Sequence, residues 1–182
     1  MQPEIGIRVA KPEDAAAIAR VRVDSWRTTY RGVLPGDYLD GLSYEENTRN
    51  WKHILAGTGR HNFAYVAEDP AGKVVGFVLG GIERTNNPSY TGEIYAIYLL
   101  HSHQRMGIGR ALIRAIMRRL VQEGMYSLLI WVLSQNPARA FYAALGGKPL
   151  YEKNIVIGSS TFKEVAYVWP DIRSIAGLAE DL

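Results

Sequence analysis

Two glycines in a basic segment could hold an anionic group. Residues 104–110 read Gln-Arg-Met-Gly-Ile-Gly-Arg, between a strand-like stretch and one with helical spacing. Glycines at such a junction let the backbone approach a ligand closely. The first turn of a helix adds unpaired N–H groups and a partial positive charge. This arrangement predicts a site for phosphate or pyrophosphate.

The charge around this segment agrees with that prediction. Between residues 100 and 122 there are five arginines and no acid: Arg105, Arg110, Arg114, Arg118 and Arg119. Arg110, Arg114 and Arg118 are four residues apart, so for these three a solvated helix face is the alternative explanation. A P-loop is excluded because no Lys-Ser/Thr follows the glycines. A dinucleotide fingerprint is excluded because Leu112 stands where it needs a third glycine.

Composition limits the class of protein. The 182 residues predict a single domain over residues 1–182, with residues 170–182 as a tail. There is no cysteine, which excludes disulfides, a thiolate nucleophile and thiolate-bound metals. A net charge of +3 is too mild to indicate a nucleic-acid partner. No leader or membrane-length apolar run is visible, so we expect a cytoplasmic protein that does not bind membranes.

The periodicity predicts a mixed α/β chain. Strands are expected at residues 5–9, 63–68, 74–81, 93–100, 127–133, 153–157 and 161–169. Helices are expected at residues 12–30, 43–57, 107–123 and 136–145, and residues 31–42 read as a loop or broken helix. Gly80 and Gly81 indicate a bulge or strand end. The tail after Pro170 could end in a short helix.

Two segments together resemble a known family. Gln104-x-x-Gly107-x-Gly109, after the strand that starts at Glu93, resembles the acyl-CoA-binding signature of the GCN5-related N-acetyltransferase (GNAT) family. Residues 136–146, Asn-Pro-Ala-Arg-Ala-Phe-Tyr-Ala-Ala-Leu-Gly, are similar to that family's other recurrent segment. The resemblance implies a mostly antiparallel sheet of about seven strands with four main helices, splayed between strands 4 and 5. It also implies acetyl-CoA as the acyl donor. The residue spacing separately predicts no metal.

The resemblance assigns a set of residues to acetyl-CoA. In this family the pantetheine arm pairs with the backbone of the fourth strand, and the pyrophosphate lies on the amides of the glycine segment. Asn136 takes the position that often hydrogen-bonds the arm, although it also reads as a helix N-cap. The residues so assigned are Ile97, Tyr98, Leu99, Gln104, Arg105, Met106, Gly107, Ile108, Gly109, Arg110 and Asn136.

Two further residues match catalytic positions of the family. Tyr142 matches the general acid that protonates the leaving thiolate; the alternative is a core aromatic residue. Glu93 is the candidate base, acting directly or through a water chain; the alternative is a strand-end charge in solvent. A backbone amide near Leu99 would polarise the acetyl oxygen. The resemblance implies direct transfer, and the lack of cysteine removes the obvious covalent alternative.

Strand geometry bears on which groups could assist the base. On a regularly pleated strand Glu93, Tyr95, Ile97 and Leu99 share one face. Either Tyr95 or Tyr98 could therefore assist Glu93, depending on which face meets the cleft.

The acceptor side is less well defined by sequence. The resemblance places it at the first two helices, residues 31–42 and the turn at residues 158–161. Trp26 and Tyr30 are one helical turn apart and could contact an apolar or cationic acceptor, or could pack on the sheet instead. Asp37 and Asp40 could attract an ammonium group or be merely solvated.

Several functions remain open at this point. The leading prediction is acetylation of a primary amine on a polyamine, an amino acid or an amine-bearing antibiotic or toxin. The alternatives are a protein N-terminal or lysine acetyltransferase, and a non-catalytic acyl-CoA-binding module. Nucleic-acid binding through the arginine-rich helix is the least favoured. His101 and His103 lack further ligands at metal-binding spacing. Family members often dimerise, so a homodimer through the last hairpin and the tail also remains open.

Overall fold

A seven-stranded sheet organises the part of the chain that the computed structural model describes, residues 5–175. Its strands are β1 (Gly6–Val9), β2 (Asn62–Glu68), β3 (Val74–Ile82), β4 (Gly92–Leu99), β5 (Leu128–Leu133), β6 (Lys148–Ile157) and β7 (Ser160–Trp169). The spatial order is β1-β2-β3-β4-β5-β7-β6. Among the strands of residues 5–175, only the β4–β5 pair is parallel. The predicted fold class is confirmed.

Five helices accompany the sheet within residues 5–175: α1 (Ala15–Thr29), α2 (Gly36–Asp40), α3 (Tyr44–Ala56), α4 (Ile108–Gln122) and α5 (Arg139–Ala144). The short α2 lies in the segment expected to be a loop or broken helix. The start of α3 agrees with its predicted cap, because the Ser43 hydroxyl accepts the N–H of Glu46 at 3.1 Å. No helix among residues 5–175 is long and apolar enough to cross a membrane.

The two faces of the sheet carry different layers. One face packs against α4 and α5 and forms the largest apolar cluster, including Leu112, Ile116 and Tyr142. The other face packs against α1 and α3 along β2, β3 and β4, with Ile18 and Trp51 in its core. We call these the α4 face and the α1 face. Each helix buries its apolar stripe on the sheet, which is the main stabilising term in such a fold.

The parallel strands β4 and β5 separate along their length. They pair only at Gly92↔Leu128, Glu93↔Leu129 and Ile94↔Ile130, although β4 continues to Leu99. Beyond Ile94 the residues of β4 are half-buried, whereas its other neighbour β3 is buried from Val74 to Gly81. The predicted splay is therefore confirmed, and it opens a gap in the middle of the sheet. We call it the β4–β5 gap.

A β-bulge in β4 contradicts the expectation that Glu93, Tyr95, Ile97 and Leu99 share one face. The β3–β4 register passes from Leu79↔Ala96 to Gly80↔Ile94, which leaves Tyr95 without a cross-strand partner. Tyr95 packs on the α1 face, but Ile97 and Leu99 pack on the α4 face. One extra residue reverses the alternation of side chains, so the prediction of a common face is wrong.

Glycine permits this bulge, as predicted for the Gly80-Gly81 pair. A Cβ on Gly80 would lie 2.8 Å from the carbonyl oxygen of Glu93, and one on Gly81 would collide with the carbonyl oxygen of His61. The ring of Tyr95 crosses the space that a side chain on Gly81 would fill, since its hydroxyl would lie 2.8 Å from that Cβ.

Three predicted boundaries differ from the structure. Helix α5 begins at Arg139 because residues 136–138 form a tighter turn, with the Arg139 N–H donating to the Asn136 carbonyl at 3.2 Å. Strand β6 begins at Lys148 rather than at residue 153, because its pairing with β7 continues across a register shift. No helix occurs at residues 170–175, and the rest of the tail lies outside the described residues.

Candidate active site

The loop before α4 presents a row of backbone N–H groups. The N–H groups of residues 105–110 have no backbone partner within residues 5–175, since the first helical bond beyond them runs from Ala111 to the Gly107 carbonyl. Arg105 and Gly107 have left-handed φ angles of 64° and 81°. Such alternation turns successive amides toward one point and makes an anion-binding concavity. The left-handed φ of Arg105 is a strained conformation for a residue other than glycine, and such strain is common in backbone that binds ligands.

The side chains of this loop serve different purposes. Gln104 and Arg105 are exposed, and the Gln104 amide donates to the Leu99 carbonyl at 3.4 Å. Ile108 is 3% exposed and packs in the core, so only its backbone can contact a ligand. Gly109 lies against Phe141, whose ring would be 3.4 Å from an added Cβ. The loop is thereby held on α5.

A groove of about 380 Å³ continues from the loop along α4. Its lining combines basic residues of one helix face with residues of β1 and β2: Ile7, Tyr65, Gly107, Arg110, Ala111, Arg114, Ala115 and Arg118. The predicted basic face of α4 therefore borders a groove rather than open solvent alone.

The edge of β4 offers hydrogen-bonding groups to the β4–β5 gap. The Leu100 N–H donates to the Val75 carbonyl of β3. Because the direction of backbone groups alternates along an antiparallel strand, the N–H groups of Leu99 and Ile97 point to the other edge. That edge faces β5, which has already diverged. A linear chain containing amides could pair there as an additional strand does.

Asn136 and Tyr30 connect the two sides of this gap. The Asn136 side-chain amide donates to the Tyr30 hydroxyl at 2.8 Å, and its carbonyl accepts the N–H of Ala138 at 2.8 Å. Asn136 therefore caps the turn before α5 while its N–H group ties that turn to α1. Tyr30 is only 4% exposed, and burial raises the pKa of its hydroxyl.

Tyr142 lies at the base of the gap, on α5. It is 5% exposed, and its ring packs 5.5 Å from that of Phe141 and 6.0 Å from that of Tyr167. Burial, followed by the nearby hydroxyls of Tyr98 and Tyr30, raises the pKa of the Tyr142 phenol. The phenol therefore keeps its proton at neutral pH, which is the form that a general acid requires.

Glu93 is buried rather than solvated at the start of β4. It is 2% exposed, and its Oε1 accepts from the Arg84 guanidinium at 2.6 Å. Its Oε2 accepts from the Arg84 Nε at 3.2 Å and from the backbone N–H of Arg84 at 3.1 Å. The Arg84 guanidinium also stacks 4.0 Å from the centre of the Tyr95 ring. A solvated strand-end charge is thus excluded, and Arg84 holds the carboxylate in place.

Comparison with known proteins decides the family. The chain matches the Acetyltransferase (GNAT) family over residues 18–146. It is 42% identical over 175 residues to the uncharacterized N-acetyltransferase YuaI of Bacillus subtilis (strain 168), covering 96% of this chain and 98% of that protein. The chain belongs to the GNAT acetyltransferase family.

Solved GNAT structures share the fold. The PaiA N-acetyltransferase of Thermoplasma acidophilum, in complex with coenzyme A, superposes with a TM-score of 0.67 at 21% identity, over 88% of this chain and 98% of that one. NAA60 of Arabidopsis thaliana, in complex with acetyl-CoA, superposes with a TM-score of 0.65 at 16% identity, over 94% and 100%. This GNAT protein is an N-acetyltransferase that uses acetyl-CoA. Its free loop amides and the β4–β5 gap fit the pyrophosphate and amide-containing arm of that donor.

The residues expected on the acceptor side of this acetyltransferase lie together near the gap. Trp26 packs against Tyr30, Tyr38 and Tyr98, with ring centroids 5.1, 6.5 and 6.2 Å away. The Arg22 guanidinium already covers one face of Trp26 at 4.5 Å. Tyr30 is so deeply buried that only the edge of its ring can contact an acceptor.

The remaining acceptor-side candidates are structural or exposed. Asp37 is exposed, and Asp40 forms an exposed ion pair with Arg31 at 3.1 Å. Tyr95 donates a hydrogen bond to the Ile82 carbonyl, and burial raises the pKa of its phenol to about 12. No group of three or more His, Cys, Asp or Glu residues in the described range is arranged to hold a metal ion.

Sequence reasoning missed Glu164, Lys153 and Trp131 in this acetyltransferase. They lie on β7, β6 and β5, on the same face of the sheet as Trp26 and Tyr98. The sequence did contain a signal for Glu164. Side chains alternate between the two faces of β7, so Glu164 lies on the same face as Phe162 and Ala166, at a position where an apolar residue would be expected. The sequence offered no comparable signal for Arg84, because its contact with Glu93 depends on the loop between β3 and β4.

Proposed function

We propose that this enzyme transfers an acetyl group directly to the primary amine of a small molecule. The observation that carries the proposal is the β4–β5 gap, which joins the free loop amides to an aromatic surface on the α1 face. One substrate can enter along the amide edge of β4 while the other reaches the gap beside Trp26 and Tyr98. Neither has to be held covalently by the protein.

The contact between the β6–β7 turn and α2, at the border of the acceptor side, favours a small acceptor over a protein chain. A Cβ on Gly158, in the β6–β7 turn, would lie 3.1 Å from the Tyr38 ring of α2. The turn and the short helix therefore touch and close one side of the approach. An extended polypeptide would need that contact to open, whereas a small amine would not.

The donor side is assigned as follows. The N–H groups of residues 105–110 bind the pyrophosphate, and the exposed side chain of Arg110 adds positive charge. The backbone of Ile97 and the carbonyl of Leu99 pair with the pantetheine amides, which leaves the Leu99 N–H free, whereas the backbone groups of Tyr98 point to β3. Asn136 positions the turn beneath the arm through its bond to Tyr30. Bound acetyl-CoA supplies the reactive thioester.

Tyr142 acts as the general acid in this mechanism. As the C–N bond forms and the C–S bond breaks, its Oη donates a proton to the departing sulfur. Burial supports this role because it keeps the phenol protonated before the reaction. The Leu99 N–H, aimed into the gap, stabilises the negative charge that develops on the acetyl oxygen.

Glu93 receives the proton that the amine must lose. Both of its carboxylate oxygens already accept bonds from Arg84, so the proton reaches Glu93 through an intervening water rather than by direct contact. Arg84 is a positioning residue in this scheme. Trp26 and Tyr98 line the approach of the amine.

An acceptor screen tests the proposal. Purified protein is incubated with acetyl-CoA and a panel of polyamines, amino acids, amine-bearing antibiotics and peptides, and thiol release is followed. We expect turnover with at least one small amine, and at least tenfold lower kcat/KM with peptides. Turnover confined to peptides would contradict the small-molecule assignment. Tight coenzyme A binding without turnover on any amine would instead favour the non-catalytic binding module.

A further inference from the structure

A lysine ammonium lies over an indole ring and beside a partly buried carboxylate on the α1 face of the sheet. The Lys153 Nζ is 4.1 Å from the centre of the Trp131 ring and 3.7 Å from the Glu164 Oε2. An aromatic face together with a carboxylate is a recognised way to bind an ammonium ion. We call Trp131, Lys153 and Glu164 the Glu164 cluster.

The Glu164 cluster lies beside the β4–β5 gap. Glu164 pairs across strands with Leu133, the last residue of β5. Counting along the parallel strands from Ile94↔Ile130 puts Trp131 close to the level of Tyr95. Glu164 is also near enough to Tyr98 to influence its pKa. The cluster therefore faces the place where an acceptor must approach.

The ion pair in this cluster is not built like a structural salt bridge. The separation of 3.7 Å is too long for a hydrogen bond, so neither group is firmly held by the other. The Glu164 side chain is only 14% exposed, whereas that of Lys153 is 42% exposed. The carboxylate is largely desolvated, and the lysine on edge strand β6 can turn outward into water.

Two other features show that the polar groups of the cluster are incompletely satisfied. The Trp131 Nε1 is buried and has no hydrogen-bond partner within residues 5–175. Burial raises the pKa of Glu164, and nearby Glu93 adds to that effect while Lys153 and Arg84 oppose it. A largely buried carboxylate with one loosely placed cation gains from a closer ammonium partner.

We propose that Glu164 and the ring of Trp131 bind the acceptor's ammonium group, and that Lys153 fills this position until the acceptor displaces it. The inference rests on the proposed function in taking an amine as the acceptor. It deepens that function by naming the class: an alkyl or aralkyl amine with no carboxylate next to the amino group. Such a carboxylate would be repelled by Glu164.

Substitutions within the cluster separate this role from a structural one. Glu164→Gln keeps the shape and removes the charge that attracts the amine. Lys153→Gln removes the internal competitor and leaves Glu164 in place. The matched controls are Glu152→Gln and Lys163→Gln, because Glu152 and Lys163 form an exposed ion pair of 3.2 Å on the opposite face of the same hairpin.

The measurements are steady-state kinetics with n-hexylamine and binding of n-hexylammonium followed by ligand-observed NMR. We expect Glu164→Gln to raise the KM and the Kd for the amine at least about tenfold, with kcat within about threefold and KM for acetyl-CoA unchanged. We expect Lys153→Gln to lower the KM and the Kd for the amine about threefold or more. Both controls should match the wild type, and thermal melting establishes that each variant is folded.

Two outcomes would overturn the inference. The first is an unchanged Kd for n-hexylammonium in Glu164→Gln, or no binding to the wild type at all. The second is weaker binding in Lys153→Gln, with glycine or another amino acid as the better acceptor, since Lys153 would then recognise a carboxylate. If no amine is acetylated but binding follows the expected order, the proposed function fails and the ammonium site stands.

Discussion

The Tyr142 hydroxyl can be removed without disturbing the core around it. No described residue hydrogen-bonds this hydroxyl, and the contacts of the ring with Phe141 and Tyr167 persist in a phenylalanine. Losing an unpaired hydroxyl should change the free energy of unfolding by less than about 1 kcal/mol. A change in rate in Tyr142→Phe would therefore report on chemistry rather than on folding.

General acid catalysis sets the expected size of that change. A positioned proton donor contributes about 10²- to 10⁴-fold to rate, and 100-fold corresponds to about 2.7 kcal/mol of barrier. We expect kcat to fall at least about 100-fold. The Kd for acetyl-CoA should stay within about twofold, because the phenol acts on the sulfur only as the C–S bond breaks.

The chain suits a direct assay of this prediction. Because it contains no cysteine, a thiol-reactive chromogenic reagent detects only the coenzyme A that is released. Tyr167→Phe is the matched control: it removes a phenol of the same apolar cluster, whose oxygen accepts from the Arg139 Nε at 3.2 Å. We expect that control to lose some stability and to keep its turnover.

The reasoning would be refuted by one pattern. If Tyr142→Phe retained kcat within about threefold while both variants were folded, Tyr142 would be a core aromatic residue and the proton would come from elsewhere. If Tyr142→Phe and Tyr167→Phe lost turnover equally, the loss would reflect packing and not proton donation.

Three further predictions concern the loop, the base and the fold. Gly107→Ala should lower the free energy of unfolding by about 1–2 kcal/mol, because Gly107 has a left-handed φ, and it should raise the KM for acetyl-CoA. The control is Gly72→Ala, in a distant turn with a φ of 78°, which should lower stability by a similar amount and leave that KM unchanged. Glu93→Gln should lower kcat about tenfold or more without raising KM for the amine, and unchanged kcat across pH 6–9 would remove Glu93 as the proton acceptor. Asp14, in the turn just before α1, accepts hydrogen bonds from the Arg8 guanidinium at 2.7 and 2.8 Å, and these bonds lower the pKa of its carboxyl group. The carboxylate therefore stabilises the fold above its unfolded pKa of about 4, and this contribution is lost as pH falls through the lower folded value. Urea unfolding should therefore find Asp14→Asn about 1–2 kcal/mol less stable than the wild type at pH 7, with the difference shrinking toward pH 2; a constant difference would contradict the linkage.

Local signals were sufficient to predict free backbone amides ahead of α4. The glycine segment of residues 104–110 is contiguous, and the exposure of its amides depends only on backbone conformation at a helix start. The start of α3 at Ser43 and the bulge at Gly80-Gly81 were likewise readable, because capping and close backbone approach act over a few residues. The splay of β4 from β5 came from family resemblance and not from periodicity.

Features that depend on how strands and loops pack together could not be predicted from local sequence in the same way. One unpaired residue at Tyr95 moves Ile97 and Leu99 to the α4 face, and no strand periodicity can show which residue a bulge will skip. The burial of Glu93 against Arg84 depends on the loop between β3 and β4. The family resemblance placed Tyr30 on the acceptor side, yet the fold buries it and ties it to Asn136.

The sequence by itself determined the family and the enzyme class of this protein, through the motif of residues 104–109, the segment of residues 136–146 and the absence of any thiol. The tertiary structure alone decided which charges meet at the gap. Glu164 and Lys153 are eleven positions apart on neighbouring strands, and Trp131 comes from a third strand. Their meeting depends on the order β5-β7-β6 and on strand register, both set by the packing of the whole sheet rather than by any local pattern.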